Sequence, residues 1–119
     1  MAKETKATVS YQESFGVLDI RVGQVITVEP EGRTHKPTYK MTVDFGQYGT
    51  RECYGRFTQH SLDEVKGRLV LGVLNFEPKK MGEVVSQALI LGVQFPKAES
   101  GEATFVSPVV DAKIGSKLF

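Results

Sequence analysis

The chain of 119 residues is 40% hydrophobic and 24% charged and holds five prolines, enough apolar material for one ordinary core and too few residues for two domains. Its 15 Lys plus Arg nearly balance 14 Asp plus Glu, a net charge of +1, so a uniformly basic surface is excluded and any polyanion site must be a local patch. The single Cys53 excludes an internal disulfide framework and multi-cysteine zinc or iron–sulfur centres, and suits a reducing, cytoplasmic compartment.

Residues 1–10 are polar, carry Lys3, Glu4 and Lys6, and read as a disordered tail ahead of one domain over 11–119. No window approaches about 18 uncharged apolar residues, so neither export nor membrane insertion is expected. Ser10-Tyr11-Gln12-Glu13 is a capping-box pattern ahead of Phe15, Val17 and Leu18, predicting one short helical turn that acts as a lid. From Ile20 to Glu29 apolar residues recur around Gly23, which predicts a long coiled strand with a bulge or bend at the glycine.

Pro30 to Pro37 is a polar loop, after which Tyr39, Met41, Val43 and Phe45 alternate with polar residues, the pattern of a half-buried strand. Turn residues at Gly46 to Gly49 and a return over Thr50 to Tyr54 make residues 39–54 a hairpin. Ser61-Leu62-Asp63-Glu64 is a second capping box, followed by Val65 and stopped by Gly67, so a helix of barely two turns joins two strands. Leu69 to Phe76 and Ala88 to Val93 are nearly continuous apolar runs, predicted as central strands buried on both faces. Between them Glu77-Pro78-Lys79-Lys80-Met81-Gly82 is a basic connector. The remainder predicts a short strand around Thr104 to Val106 and a tail whose Val109, Val110, Ile114 and Leu118 need a surface to cover.

Three strands, a short helix and two more strands are the order of an all-β, five-stranded OB-fold barrel, which binds ligands on strands 2 and 3 and in the loops between strands 1 and 2 and strands 4 and 5. Charge is placed accordingly. From Met1 to Gly32 three basic residues face five acidic ones, from Arg33 to Arg56 five face two, and from Phe57 onward seven balance seven. The positive block coincides with the first binding loop plus strands 2 and 3, and Lys79 and Lys80 fall on the other rim. Arg33, His35, Lys36, Lys40, Arg51, Arg56, Lys79 and Lys80 around exposed Tyr39, Tyr54 or Phe57 would engage phosphates while rings stack on unpaired bases.

Plainer readings stand beside these. Lysine pairs are common in solvated turns, and Tyr39 shares the phase of Met41, Val43 and Phe45, which suits core as well as stacking. Arg21 beside Asp19 suits a structural ion pair better than an RNA contact. Cys53 suits a small buried hydrophobe better than a low-pKa thiol. His60 reads as a helix-flanking residue and His35 as a solvated one. No nucleophile–base pair, HExxH, Walker A loop or GxGxxG is present, and two histidines in separate loops lack clustered carboxylates, so no catalytic residue, cofactor or metal is expected.

A family resemblance rests on ordered blocks: Phe15; Leu18-Asp19-Ile20-Arg21-Val22-Gly23; Lys36-Pro37-Thr38-Tyr39-Lys40; Val43-Asp44-Phe45-Gly46; Asn75-Phe76-Glu77-Pro78-Lys79-Lys80; and Ser86-Gln87 before Leu89-Ile90-Leu91-Gly92. From about Tyr11 to the C-terminus the chain resembles the tRNA-binding domain family, the OB-fold appendage of some methionyl-tRNA synthetases. The Lys36 to Lys40 stretch looks most like the stand-alone CsaA-like branch. The resemblance implies a homodimer whose interface is formed largely by the N- and C-terminal extensions, and structure-selective, non-catalytic binding of tRNA. For the CsaA-like branch it implies, as an alternative, a chaperone role toward unfolded or export-bound polypeptides. It carries Asn75, Lys79, Lys80, Ser86 and Gln87 across as RNA-facing positions, completing a candidate set with Arg33, Lys36, Lys40, Arg51 and Arg56. The chain departs from the family pattern at Cys53-Tyr54-Gly55-Arg56-Phe57, where a small polar run is expected after Arg51, at Gly82, about one place early, and at Val85 before the serine.

Overall fold

The computed structural model describes residues 2–119; Met1, the first residue of the expected disordered tail 1–10, lies outside the described residues. The architecture grows from one long strand, β1 (Ile20–Glu31), that serves two partners. Ile20–Gln24 pair antiparallel with β4 (Leu69–Val73), and Gln24–Glu31 pair antiparallel with β2 (Thr38–Asp44). Between Val25 and Thr27 the register shifts, and this irregularity adds the twist that carries the strand around the barrel. The bulge expected at Gly23 is therefore corrected: it falls at Ile26, while Gly23 stays in the ladder opposite Val70. A Cβ on Gly23 would lie 2.6 Å from the Phe45 ring and 2.7 Å from Val43, so the glycine makes room for the core.

β2 and β3 (Thr50–Gly55) form the expected hairpin around a 3-10 turn at Gly46–Tyr48. The sheet order is β3-β2-β1-β4-β7, with β7 at Leu89–Ile90. Helix α1 (Leu62–Val65) joins β3 to β4, and both halves of its capping box are present. It is one turn long, shorter than the sequence suggested, because the chain leaves the helix at Lys66 and Gly67.

The barrel closes between β3 and residues 86–87, and there side chains replace a regular ladder. The Gln87 amide donates to the Glu52 carbonyl (2.9 Å), the Glu52 amide to Gln87 Oε1 (2.8 Å), and the Tyr54 amide to Ser86 Oγ (3.1 Å). Inside lie Val25, Met41, Val43, Phe45, Val65 and Val70, all essentially inaccessible to solvent. Outside, Ile20, Val22, Leu71 and Val73 form a second cluster under Phe15, Leu18, Leu91, Ala112 and Leu118. This explains the continuous apolar run at β4: its alternate residues face the barrel interior and the outer cluster, so both faces are buried.

The tail finds its surface partly as expected. Its amides and carbonyls pair with β1 on the edge that β2 leaves free, through Val22 N–H to Ser116 O, Gly115 N–H to Val22 O and Leu118 N–H to Ile20 O. Leu118 joins the outer cluster, whereas Val109 and Val110 remain exposed.

Two further sequence expectations are corrected. Ala88 to Val93 is not one buried central strand: β7 pairs with β4, β8 (Gly92–Val93) pairs with β9 (Thr104–Phe105), and Leu89 and Val93 are exposed, because the segment crosses from the barrel to the C-terminal ribbon. The connector 77–82 is half of a hairpin, β5 (Lys79–Met81) with β6 (Val84–Ser86). The leading helical turn lies at Phe15–Val17 as a 3-10 turn, with Ser10 Oγ accepting from the Glu13 amide upstream of it.

Candidate nucleic-acid interface

Two segments far apart in sequence form one rim. The β5–β6 hairpin turns through Gly82 at φ +63, a conformation that side-chain-bearing residues adopt at a cost. A Cβ there would lie 3.5 Å from the Arg33 carbonyl oxygen, so the hairpin tip abuts the 32–37 loop. The positive loop and the lysine pair expected on the two rims are thus neighbours.

The cations of this region fall into two groups. Arg33 Nε donates to Glu31 at 2.7 Å and its Nη2 at 3.1 Å, which holds the Glu31 carboxyl down at about 2 and raises Arg33 above its ordinary value. Lys40 lies between Glu52 (3.5 Å) and Glu29 (3.9 Å) on the outer face of the sheet. Arg51 Nη1 donates to the carbonyls of Leu74 (3.0 Å) and Gln87 (3.1 Å), bridging the seam where the barrel closes. Arg56 donates to the carbonyls of Pro37 and Ser100. Lys36, Lys79 and Lys80 are exposed, and among the described residues none has a carboxylate within 4.0 Å.

The polar positions carried across by resemblance are engaged with backbone. Asn75 Oδ1 accepts from the Asp19 amide (2.7 Å) while its Nδ2 donates to the Val17 carbonyl (2.8 Å), fastening the N-terminal turn to the end of β4. Ser86 is buried and donates to Ala88 O while accepting from Tyr54. Gln87 is exposed yet latches β3. Arg21 pairs with Asp19 at 2.6 Å and lies 4.4 Å over the Tyr48 ring, as its structural reading predicts.

The rings expected at the surface are not there. Tyr39, Tyr54 and Phe57 are all buried. Tyr39 donates its hydroxyl to the His60 carbonyl, and Phe57 stacks on Phe105 at 3.9 Å; the core phase of Tyr39 prevails. A ring is exposed beside this rim instead at Phe76, 47% accessible, which corrects its expected place in a strand buried on both faces, because β4 already ends at Val73. Its position directly before Glu77-Pro78-Lys79-Lys80, an aromatic beside a lysine pair in a turn, was the available signal. Phe76 lines a cleft of about 350 Å³ beneath the hairpin, with Tyr54, Phe57, Met81, Leu89 and Ile90 as apolar walls and Lys79 and Glu77 among its polar residues.

Burial pushes the Cys53 thiol up to about 12, the inert hydrophobe of the plainer reading. His60 Nε2 lies 2.8 Å from Thr104 Oγ1 and binds β9 to the start of α1. Among the described residues no group of three His, Cys, Asp or Glu could hold a metal ion, and no helix is long and apolar enough to cross a membrane.

Comparison with known proteins gives three likenesses. A family model described as "Putative tRNA binding domain" matches residues 20–117. The methionine–tRNA ligase of Methanoculleus marisnigri is 32% identical over 117 residues, 98% of this chain and 17% of that protein. The chain spans only 14% to 17% of the length of the curated ligases it matches. The crystal structures of CsaA chaperones from Bacillus anthracis and Picrophilus torridus superpose with TM-scores of 0.84 and 0.81 at 27% and 26% identity, covering 95% and 94% of this chain and 100% of theirs.

Proposed function

The chain belongs to the tRNA binding domain family, and from that premise we propose that it is a stand-alone, non-catalytic tRNA-binding protein of the cytoplasm. The observation that carries this reading is the rim itself: Lys79 and Lys80 on one hairpin and Lys36 on the loop it abuts, with no carboxylate partner among the described residues. Cations so disposed neutralise phosphates and release counterions, the main source of nucleic-acid affinity. Within the candidate set, Lys36, Lys79 and Lys80 contact phosphate directly and Arg33 does so in part. Lys40, Arg51, Arg56, Asn75, Ser86 and Gln87 hold the strands and loops that present them.

Fluorescence anisotropy of labelled bulk tRNA at several salt concentrations tests the reading. Affinity should fall steeply between about 50 and 200 mM salt; affinity unchanged over that range, or no binding at low salt, refutes it.

We also propose that residues 11–119 form the domain and that two copies pair through the terminal extensions. The exposed Val106, Val109, Val110 and Phe119 support this pairing, since large apolar side chains left in water gain by burial against a second copy. Light scattering should give twice 13.1 kDa; a concentration-independent monomer mass refutes it. The same exposed residues, with the CsaA chaperone likeness, support a second reading in which unfolded polypeptides bind. That reading requires suppression of a client's aggregation that survives high salt and loss of Lys79 and Lys80.

A further inference from the structure

The RNA reading leaves one feature unused. Phe76 is a large ring nearly half exposed at the mouth of an apolar cleft, where burial of such a ring would ordinarily be favourable. The fold holds it there: Asn75, its neighbour, is fixed on both amide atoms to the N-terminal turn, and Pro78 follows two residues later. The cleft volume, about 350 Å³, lies at the lower end of the range for small-ligand sites, roughly 300–1,000 Å³. That admits one compact flat group and not a long segment.

We propose that this cleft takes one unpaired nucleobase of the bound RNA, stacked on Phe76, with the adjoining phosphate against Lys79; the inference rests on the RNA-binding reading and names the ligand unit at its rim. An aromatic wall beside an uncommitted cation matches the two chemistries of a nucleotide, a π-face and a phosphate. An apolar peptide side chain would use the walls and leave Lys79 without a partner. Glu77 lines the same cleft. A carboxylate accepts hydrogen bonds, so it favours a base with a freely presented exocyclic amino group, such as cytosine or adenine, over uracil, whose one donor, N3–H, is flanked by two carbonyl oxygens that a carboxylate repels. Arg56, also in the lining, is tied to the carbonyls of Pro37 and Ser100 and shapes the wall.

The chain has no tryptophan, so Phe76→Trp places a single indole at the mouth while keeping a stacking surface. Titration of this variant with CMP or AMP at low salt should quench the indole, and inorganic phosphate should not. Phe76→Ala, at an exposed position, should weaken tRNA binding about 5- to 150-fold, the cost of one stacked base, with the salt slope unchanged because the lysines remain. Equal responses to phosphate and nucleotide, or an indole shift with an apolar hexapeptide alone, overturn the proposal. Equal quenching by UMP and CMP overturns the amino-group preference. If wild-type protein binds tRNA and Phe76→Ala binds it equally well, only the cleft assignment falls; if wild-type protein binds no tRNA, the RNA reading itself falls.

Discussion

The cations on the β2–β3 wall and those on the β5–β6 hairpin have the same charge and opposite employment. On the wall, Arg51 bridges the Leu74 and Gln87 carbonyls, Arg56 those of Pro37 and Ser100, and Lys40 lies between two glutamates. On the hairpin, Lys79 and Lys80 have no carboxylate partner among the described residues. For Arg51 the difference follows from how the barrel closes. Between β3 and residues 86–87 the ladder is incomplete, so backbone carbonyls there need donors, and an arginine with several N–H groups supplies them. The hairpin completes its own pairing, so its lysines are released to solvent. Positive charge counted along a sequence measures supply; what remains for a ligand depends on how much the backbone consumes.

The largest effect should come from the hairpin. Lys79→Ala with Lys80→Ala removes two phosphate contacts and should lower the salt slope by about 1.4 to 1.8, at 0.7 to 0.9 per contact. Scaled from about 1 M down to about 50 mM salt, that slope corresponds to roughly a hundredfold weaker tRNA binding. Thermal stability should stay within about 0.5 kcal/mol, as for surface substitutions generally. Anisotropy and calorimetry on one preparation measure both.

The wall should respond the other way. Arg51→Ala leaves two carbonyls at the seam without donors and should cost about 1–3 kcal/mol in urea unfolding, with the salt slope of tRNA binding preserved. A fall in slope by one contact with unchanged stability would break the contrast and make Arg51 a phosphate ligand. Ser86→Ala should cost a similar amount, about 1–3 kcal/mol, since the buried Tyr54 amide loses its acceptor and the Ala88 carbonyl its donor.

Much of this was legible beforehand. The alternation at Tyr39 to Phe45 and the capping box at Ser61 to Glu64 are local signals, and both appear where the sequence puts them. The continuous run at β4 required two buried faces, which the terminal segments provide. The misread positions depend on distant partners. Gly23 carries the same local signal whether it bends a strand or admits Phe45, and only the fold brings that ring against it. Ala88 to Val93 looks like a core strand because nothing local reveals that its second half leaves the barrel for β9. The employment of Arg51, Asn75, Ser86 and Gln87 was hidden similarly, since their acceptors and donors lie 2 to 58 residues away, most of them more than 20.

Arg33 stands between the two groups and gives the finest test. It belongs to the loop that the hairpin touches, yet Glu31 holds it through two side-chain hydrogen bonds. Glu31→Gln keeps the shape and removes the charge, so Arg33 should become available to phosphate. The salt slope should then rise by up to about 0.7 to 0.9 and affinity by a few-fold, with little change in melting temperature because the Arg33 end of the pair is exposed and screened. The wild-type pair should not tune binding near neutrality. The Glu31 carboxyl is depressed to about 2 in the folded state, so whatever the pair contributes is present above the unfolded value near 4.3 and is lost only as pH falls toward 2. Wild-type and Glu31→Gln affinities should therefore run parallel from about pH 6 to 8, and a gap that closes within that range would mean that a different group restrains Arg33.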